Sequence, residues 1–289
     1  MKVLITGASG RVGRAIYIRL CSGHEALGYD QAPSSTADIV APLEDTDRLR
    51  CALEGVDAVV HTAALHAPHV GLRSEAEFEW VNVHCTAELL RLSLEAGIRR
   101  FVFTSTTALY GAAATPTGQA GWITEDTIPL PRTIYHRTKL QAENLLEAAA
   151  GGGELEVTVL RMSRCFPEPA PLMAAYRLHR GVDARDVADA HAAALESGGG
   201  GFRKFIISGA TPFVPGDCKD LFESAPGVLR RRAPGLVAEF ERRSWALPDR
   251  IDRVYSSHKA ASELGWNPQF GYAELLAELD RRSSEVLPP

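Results

Sequence analysis

Residues 3–13 read VLITGASGRVG, an apolar strand that runs directly into a turn with glycines at positions 7, 10 and 13. This spacing lets the first glycine make a tight turn, the second leave room for a pyrophosphate, and the third bring a helix close to the strand. The helical pattern at 15–21 follows at once, so its N-terminal N–H groups would face that pyrophosphate. The stretch therefore predicts the first strand and helix of a dinucleotide-binding α/β fold.

Apolar runs of strand length alternate with helical patterns along the rest of the chain. The predicted strands are 2–6, 26–29, 58–62, 101–105, 157–161 and 204–208, and the predicted helices are 15–21, 43–53, 78–96, 135–150, 186–196 and 258–264. This alternation predicts a Rossmann-type, doubly wound parallel sheet. We expect residues 1–164 to form the cofactor-binding domain with the catalytic residues. Residues 165–289 are expected to form a small substrate lobe interleaved with the last sheet elements, and the proline-rich segment 165–183 to be mostly loop.

Composition narrows the class of protein. A chain of 289 residues with 45% hydrophobic content can bury one substantial core. The net charge of −5 and the pI near 6.0 predict no basic surface for nucleic acid. No apolar run is long enough to span a membrane, and the first apolar segment is too short for a signal peptide. Five cysteines without a CxxC pair favour reduced thiols in a cytoplasmic protein, and no pattern predicts a metal site.

A carboxylate follows the second predicted strand, about 20 residues past the glycine turn. Asp30 at this point can accept both ribose hydroxyls of an adenosine and would repel a 2′-phosphate, so it favours NAD over NADP. Arg11 carries a guanidinium inside the glycine turn, where it could meet a phosphate. Asp38 and Ile39 follow another short extended segment and are candidates for contacting the adenine.

The second chemical motif is Tyr135-His136-Arg137-Thr138-Lys139, which places a phenol and an ammonium on one helix face. Tyrosine is a poor base near neutral pH unless a nearby cation favours the phenolate, and Lys139 would supply that cation. The strand that begins at Phe101 ends in four hydroxyl residues, 104–107, which could hold a substrate oxygen. Together the two motifs indicate redox chemistry on a hydroxyl or carbonyl.

In combination these residues resemble the extended short-chain dehydrogenases/reductases, the family of NAD-dependent sugar epimerases and dehydratases. The resemblance extends over nearly the whole chain. Further motifs that carry it are His61-Thr62-Ala63-Ala64, Val81-Asn82-Val83, Tyr110-Gly111, Asp183-Ala184-Arg185-Asp186-Val187-Ala188 and the segment KAASELGWNP at 259–268.

The resemblance implies a role for each matching residue. Thr106 and Tyr135 would hold the substrate oxygen, Tyr135 would transfer the proton, and Lys139 would bind the nicotinamide ribose; Ser105 or Thr107 could replace Thr106. The expected cofactor-binding residues are Gly7, Ser9, Gly10, Arg11, Val12, Gly13, Asp30, Asp38, Ile39, Ala63, Ala64, Tyr135, Lys139 and Met162. The expected substrate-binding residues are His66, Thr106, Thr107, Tyr135 and Arg164. The family also implies a homodimer through the helices at 83–96 and 135–150.

The stretch at 160–169, LRMSRCFPEP, is similar to a loop of uronate dehydrogenases. Where those enzymes place small polar and arginine groups, this chain has Ala108, Arg164 and Met173. Three functions remain open: a dehydrogenase acting on a small sugar, sugar acid or polyol, an epimerase or dehydratase that retains NAD, and a nonenzymatic dinucleotide sensor. An intact Thr106, Tyr135 and Lys139 argues against the sensor, and the short loop 165–181 favours a substrate without a nucleotide.

Overall fold

The computed structural model describes residues 1–153 and 155–289. Its strands are β1 (Lys2–Thr6), β2 (Glu25–Asp30), β3 (Ile39–Val40), β4 (Ala58–His61), β5 (Arg100–Thr106), β6 (Gly121–Ile123), β7 (Glu156–Met162), β8 (Phe202–Ile207) and β9 (Arg253–Tyr255). Its α-helices are α1 (Arg11–Leu20), α2 (Thr46–Ala52), α3 (Glu75–Glu79), α4 (Cys85–Glu95), α5 (Ile134–Ala150), α6 (Ala170–Tyr176), α7 (Ala184–Glu196), α8 (Cys218–Arg232), α9 (Pro234–Arg242), α10 (His258–Leu264) and α11 (Tyr272–Asp280).

The main sheet has seven strands in the order β3-β2-β1-β4-β5-β7-β8, which confirms the predicted Rossmann-type fold. From β1 the chain first adds β2 and β3 on one side, then returns to add β4 and β5 on the other. The order of strands therefore reverses between β1 and β4. Open α/β sheets bind their ligands outside the carboxyl ends of the strands at such a reversal.

The strands in the middle of the sheet are apolar on both faces because helices cover both. Every residue of β4 is buried, as are all residues of β5 after Arg100. On one side the core is continuous from Leu4 through Phe101 and Phe103 to Leu146 on α5. This burial fixes the strand ends, which is what positions the polar residues that follow them.

The chain divides into two compact units that interleave along the sequence. The first contains residues 1–109, 131–161 and 187–205, and the second contains 110–130, 162–186 and 206–289. The domain boundary at 164/165 expected from the sequence remains a prediction. In the structure, residues 110–130 belong to the second unit and residues 187–205 to the first. The second unit has its own core, to which α6, α8, α9 and α11 contribute, and a small parallel sheet of β6 and β9.

Two local predictions were incomplete. The segment 165–183 contains helix α6, because proline is tolerated in a first helical turn and the alanine, leucine and methionine that follow favour helix. Its residues Ala170, Met173 and Ala174 are buried in the core of the second unit. The predicted helix 78–96 is interrupted by a π-helical turn at Trp80–His84, which divides it into α3 and α4.

All cysteines are free thiols, in agreement with the sequence-based expectation: Cys21, Cys51, Cys85, Cys165 and Cys218. Over the described residues, no helix combines the length and the apolar character needed to cross a membrane.

Candidate active site

The glycine turn after β1 has the shape that a dinucleotide requires. Gly7 adopts a φ of +74°, a left-handed conformation that favours glycine, and its N–H donates to the Tyr29 carbonyl over 2.9 Å. A Cβ on Gly13 would lie 2.0 Å from the Gly7 carbonyl oxygen, so only glycine lets α1 pack this close. Gly10 precedes α1 as its N-cap and makes no side-chain hydrogen bond to the helix, whose N-terminus is the kind of site that binds an anion.

The carboxyl end of β2 is tied to this turn by Asp30. One Asp30 oxygen accepts the Ser9 N–H over 2.9 Å and the other accepts the Ala32 N–H over 2.8 Å. The Ser9 hydroxyl donates to the Ala32 carbonyl over 2.5 Å. A carboxylate oxygen can accept more than one hydrogen bond, so Asp30 can also accept ribose hydroxyls. Its geometry fits the predicted adenosine-binding role.

Asp38 holds the backbone of β2. Its carboxylate accepts the Gly28 N–H over 2.7 Å and the Tyr17 hydroxyl over 3.3 Å, and Ile39 then opens β3. A Cβ on Gly28 would lie 1.8 Å from the Thr36 carbonyl oxygen, so this loop packs directly on β2. The contact of Asp38 and Ile39 with an adenine stays a prediction.

A buried chain of hydrogen bonds links the ends of β1 and β4. His61 Nδ1 lies 2.6 Å from the Thr6 hydroxyl, and Nε2 lies 2.9 Å from the Thr86 hydroxyl. Thr86 donates to the Asn82 carbonyl over 2.8 Å, so it accepts from His61 Nε2–H, and Thr6 then donates to Nδ1. The Ala63 N–H donates to Thr6 in turn, over 3.3 Å. Burial lowers the pKa of His61 to about 3, which keeps this ring neutral.

Asn82 joins the loop after β4 to the helix that carries the catalytic motif. Its carboxamide accepts the Leu65 N–H over 2.8 Å and donates to the Leu65 carbonyl over 2.9 Å. It also donates to the Thr138 hydroxyl on α5 over 3.1 Å. Asn82 lies in the π-helical turn, a local structure that often marks functional sites. The loop with Ala63 and Ala64 is thereby fixed relative to α5.

Tyr135 and Lys139 lie one turn apart on α5, near the carboxyl end of β5. The Thr106 hydroxyl is hydrogen-bonded to the Tyr135 phenol and accepts the Ala108 N–H over 3.1 Å. The Ser105 hydroxyl donates to Glu143 over 2.5 Å instead, away from Tyr135. Of the hydroxyls the sequence left open, the structure therefore pairs Thr106 with the phenol. Thr107 is buried next to it along the chain.

The electrostatics of this pair differ from the sequence-based expectation. Burial raises the pKa of Tyr135 to about 12, and the hydrogen bond with Thr106 lowers it only in part. Lys139 donates to the Thr104 carbonyl over 2.7 Å and lies 3.8 Å from the centre of the Phe103 ring. Burial lowers the pKa of Lys139 to about 7, and Glu143 raises it in part. In the cofactor-free protein the phenol is thus a proton donor near neutral pH.

The remaining predicted substrate residues lie in two places. In the first unit, His66 and His69 form a pair with ring centres 4.4 Å apart in the loop after β4, and His69 Nδ1 accepts the His66 N–H over 3.0 Å. In the second unit, Arg164 donates to both oxygens of Glu168 over 2.6 Å. Met162 ends β7 and is half-buried. Their contacts with substrate or cofactor stay predictions.

The sequence reading missed the supporting residues Asn82 and Glu143. Asn82 was noted only as part of a motif. No pattern in the sequence predicts the π-helical turn in which it lies. Glu143 lies four residues after Lys139 and is 2% exposed, although nothing in the amphipathic pattern of α5 distinguishes it from a solvent-facing glutamate. Its spacing of four residues from Lys139, which places both on one helix face, is the sequence signal that could have found it.

The fold and the glycine turn together define a dinucleotide-binding α/β protein. The model of the NAD dependent epimerase/dehydratase family matches residues 3–170, more than half of the chain, and the chain belongs to that family. The family is NAD-dependent, which confirms the cofactor expected from the sequence.

Curated relatives are similar over part of their length. The uncharacterized protein y4nG of Sinorhizobium fredii is 30% identical over 165 residues, covering 55% of this chain and 39% of that protein. Sterol demethylase protein B of Methylococcus capsulatus is 30% identical over 227 residues, covering 74% of this chain and 62% of that protein. The chain thus spans less than two thirds of the length of each.

Solved structures match over nearly the whole chain. A short-chain dehydrogenase/reductase superfamily protein from Agrobacterium tumefaciens with bound NAD has a TM-score of 0.74 at 22% identity, covering 98% of this chain and 97% of that one. MoeE5 in complex with UDP-glucose and NAD has a TM-score of 0.71 at 25% identity, covering 98% and 99%.

Proposed function

We propose that this protein is an NAD-dependent oxidoreductase that transfers a hydride between the nicotinamide and a hydroxyl or carbonyl carbon of a small sugar, sugar acid or related polyol. The observation that carries the proposal is the hydrogen bond between Thr106 and Tyr135, with Lys139 one turn further along α5. A sensor of dinucleotides would need only the glycine turn and Asp30. The buried phenol paired with a hydroxyl serves proton transfer to or from an oxygen.

Each residue of this trio has a distinct task in the proposed reaction. NAD, when bound, supplies the hydride acceptor. In its phenolate form Tyr135 takes the proton from the substrate hydroxyl during oxidation, and in its phenol form it returns that proton during reduction. Thr106 donates or accepts a hydrogen bond at the same oxygen and orients it. Lys139 supplies positive charge that favours the phenolate and, by the family resemblance, holds the nicotinamide ribose.

The glycine turn and Asp30 would hold the pyrophosphate and the adenosine part of the cofactor. The first-turn N–H groups of α1 and the backbone of Gly10 would bind the pyrophosphate, with Ser9, Arg11 and Val12 as neighbours. Asp30 would accept the ribose hydroxyls. The close packing at Gly13 and the left-handed Gly7 support this assignment, because both conditions serve a turn that admits a pyrophosphate.

A substrate without a nucleotide is supported by the ion pairs of the segment between β7 and α7. Arg164 is paired with Glu168, Arg177 with Asp183, and Arg180 with Asp252. A nucleotide diphosphate needs several convergent donors, and here each arginine already binds a carboxylate. A diphosphate bound to this segment would compete with these acids for the guanidinium groups.

A sugar-nucleotide epimerase or dehydratase that retains NAD is the second candidate, favoured by the likeness to MoeE5 with UDP-glucose. The two functions differ in the fate of the hydride. A panel of sugars, sugar acids, polyols and nucleotide sugars, followed by absorbance at 340 nm, separates them. Stoichiometric NADH release with a substrate that lacks a nucleotide supports the dehydrogenase. Conversion of a nucleotide sugar without net NADH supports the second candidate and rejects the first.

A further inference from the structure

Helix α5 carries a buried acid one turn beyond the catalytic lysine. Glu143 is only 2% exposed, and Lys139 is 3% exposed. Residues four apart on a helix have neighbouring side chains on one face, so Tyr135, Lys139 and Glu143 form a continuous row. A buried acid costs free energy unless it is paired, so the partners of Glu143 decide what it can do.

The Glu143 carboxylate is held from two strands. Arg161, near the end of β7, donates from Nη2 to Oε2 over 2.6 Å. Its Nε donates to both carboxylate oxygens, over 3.1 Å each. The Ser105 hydroxyl on β5 donates to Oε1 over 2.5 Å. Arg161 is itself 2% exposed. The carboxylate is therefore fixed in position on the helix face of Lys139 and is paired with a buried guanidinium.

Apart from Glu143, the described groups that contact or neighbour Lys139 carry no negative charge. Toward β5 it meets the Thr104 carbonyl and the face of the Phe103 ring. His61 on β4 is neutral, because burial lowers its pKa to about 3. Tyr135, on the same helix, has a pKa raised to about 12 by burial and is also neutral. Glu143 is the acid whose charge raises the pKa of Lys139 against the effect of burial.

We infer that Glu143 is a positioning residue of the active site, which keeps the Lys139 ammonium charged beside Tyr135 and is itself held in place by Arg161 and Ser105. The inference rests on the proposed function, in which that ammonium supports proton transfer by Tyr135. Without the negative charge, Lys139 would lose its proton at a lower pH, and the positive charge available to the phenol would fall over the neutral range.

The direct test is titration of Lys139 in the cofactor-free protein, followed through the ¹³Cε signals of labelled lysines. The Lys139→Arg protein identifies the signal among those of Lys2, Lys204, Lys219 and Lys259. A nearby opposite charge shifts a pKa by about 1 to 3 units, so Glu143→Gln should lower the pKa of Lys139 by at least about one unit. At pH 7 the charged fraction would then fall from about half to about a tenth.

A matched control lies on the same helix. Glu147 is one turn further along the helix and exposed. Glu147→Gln therefore makes the same charge change and should leave the pKa of Lys139 unchanged. Glu143→Asp keeps the negative charge and should retain most of the wild-type pKa of Lys139. Where Glu143→Gln alone fails to fold because Arg161 is left unpaired, the double variant with Arg161→Gln removes both charges and should still show the lowered Lys139 value.

Activity gives the second readout. In Glu143→Gln, the loss of kcat relative to wild type should grow from pH 6 to pH 8, as Lys139 deprotonates, and shrink again at lower pH. A merely structural role would lower kcat by the same factor at every pH. An unchanged Lys139 titration in both Gln variants overturns the inference, even if the protein is an active dehydrogenase. A shifted titration in a protein that turns over nothing in the substrate panel supports the inference and rejects the proposed function.

Discussion

Replacing Gly13 with alanine tests the geometry of the cofactor turn. The new Cβ would lie 2.0 Å from the Gly7 carbonyl oxygen and 2.7 Å from the Gly7 carbonyl carbon, whereas ordinary contacts are 3.4 Å or longer. The glycine turn and α1 must separate by more than an ångström. Overpacking of this kind costs about 1–3 kcal/mol, against a gain of up to about 1 kcal/mol in helix propensity. We expect a net loss near 1–2 kcal/mol, which lowers Tm by roughly 2–3 °C.

The same shift should open the pyrophosphate site, so NAD should bind at least about tenfold more weakly, a loss of about 1.4 kcal/mol. Thermal unfolding and calorimetry with NAD measure the two effects. Gly23→Ala is the control, because a Cβ there meets nothing within 4 Å. Gly10→Ala, with a Cβ at 3.3 Å from the Gly7 oxygen, should destabilise less. A Gly13→Ala protein with wild-type Tm and NAD affinity would refute the packing argument.

Three further predictions concern cofactor choice, nucleotide binding and the pH dependence of stability. Asp30→Ala should narrow the preference for NAD over NADP, because its carboxylate opposes a 2′-phosphate; a wild-type protein that prefers NADP would show the assignment of Asp30 to be wrong. Calorimetry with UDP, GDP and dTDP in the presence of NAD should give no micromolar binding, and such binding would promote the epimerase or dehydratase. Stability should fall as the pH drops from 6.5 toward 4, because the buried rings of His61, His179 and His191 stay neutral in the folded protein but take up protons when unfolded. At pH 5 this amounts to about 2 kcal/mol per histidine, and a flat Tm between pH 7 and 5 would contradict it.

The sheet could be predicted because its signals are local. The strands at 2–6, 101–105 and 157–161 are continuous apolar runs, and each lies within the strand observed. Helix α6 was missed because its prolines suggested a loop, while the buried contacts that stabilise it come from residues distant in sequence. The π-helical turn at Trp80–His84 contains Asn82, whose hydrogen bond to Thr138 on α5 leaves no periodic pattern in the sequence.

The candidate site shows the same division between local and tertiary information. The spacing of Tyr135 and Lys139 placed both on one face of α5 without any structure. Which hydroxyl meets the phenol could not be read from four consecutive hydroxyl residues, because it depends on Glu143 engaging Ser105. The sequence also could not predict the direction of the Tyr135 pKa shift, since burial is a property of the fold and here outweighs the hydrogen bond with Thr106.

The most direct test of the proposed chemistry is the rate of NADH formation at 340 nm, compared between the wild type and Tyr135→Phe with the best substrate from the panel. Removing the phenolic oxygen takes away the proton donor and acceptor while leaving the glycine turn and Asp30 intact. We predict stoichiometric NADH from the wild type, retained NAD binding in the variant, and a turnover lower by about 10²–10⁴-fold. Near wild-type turnover in Tyr135→Phe would contradict the account.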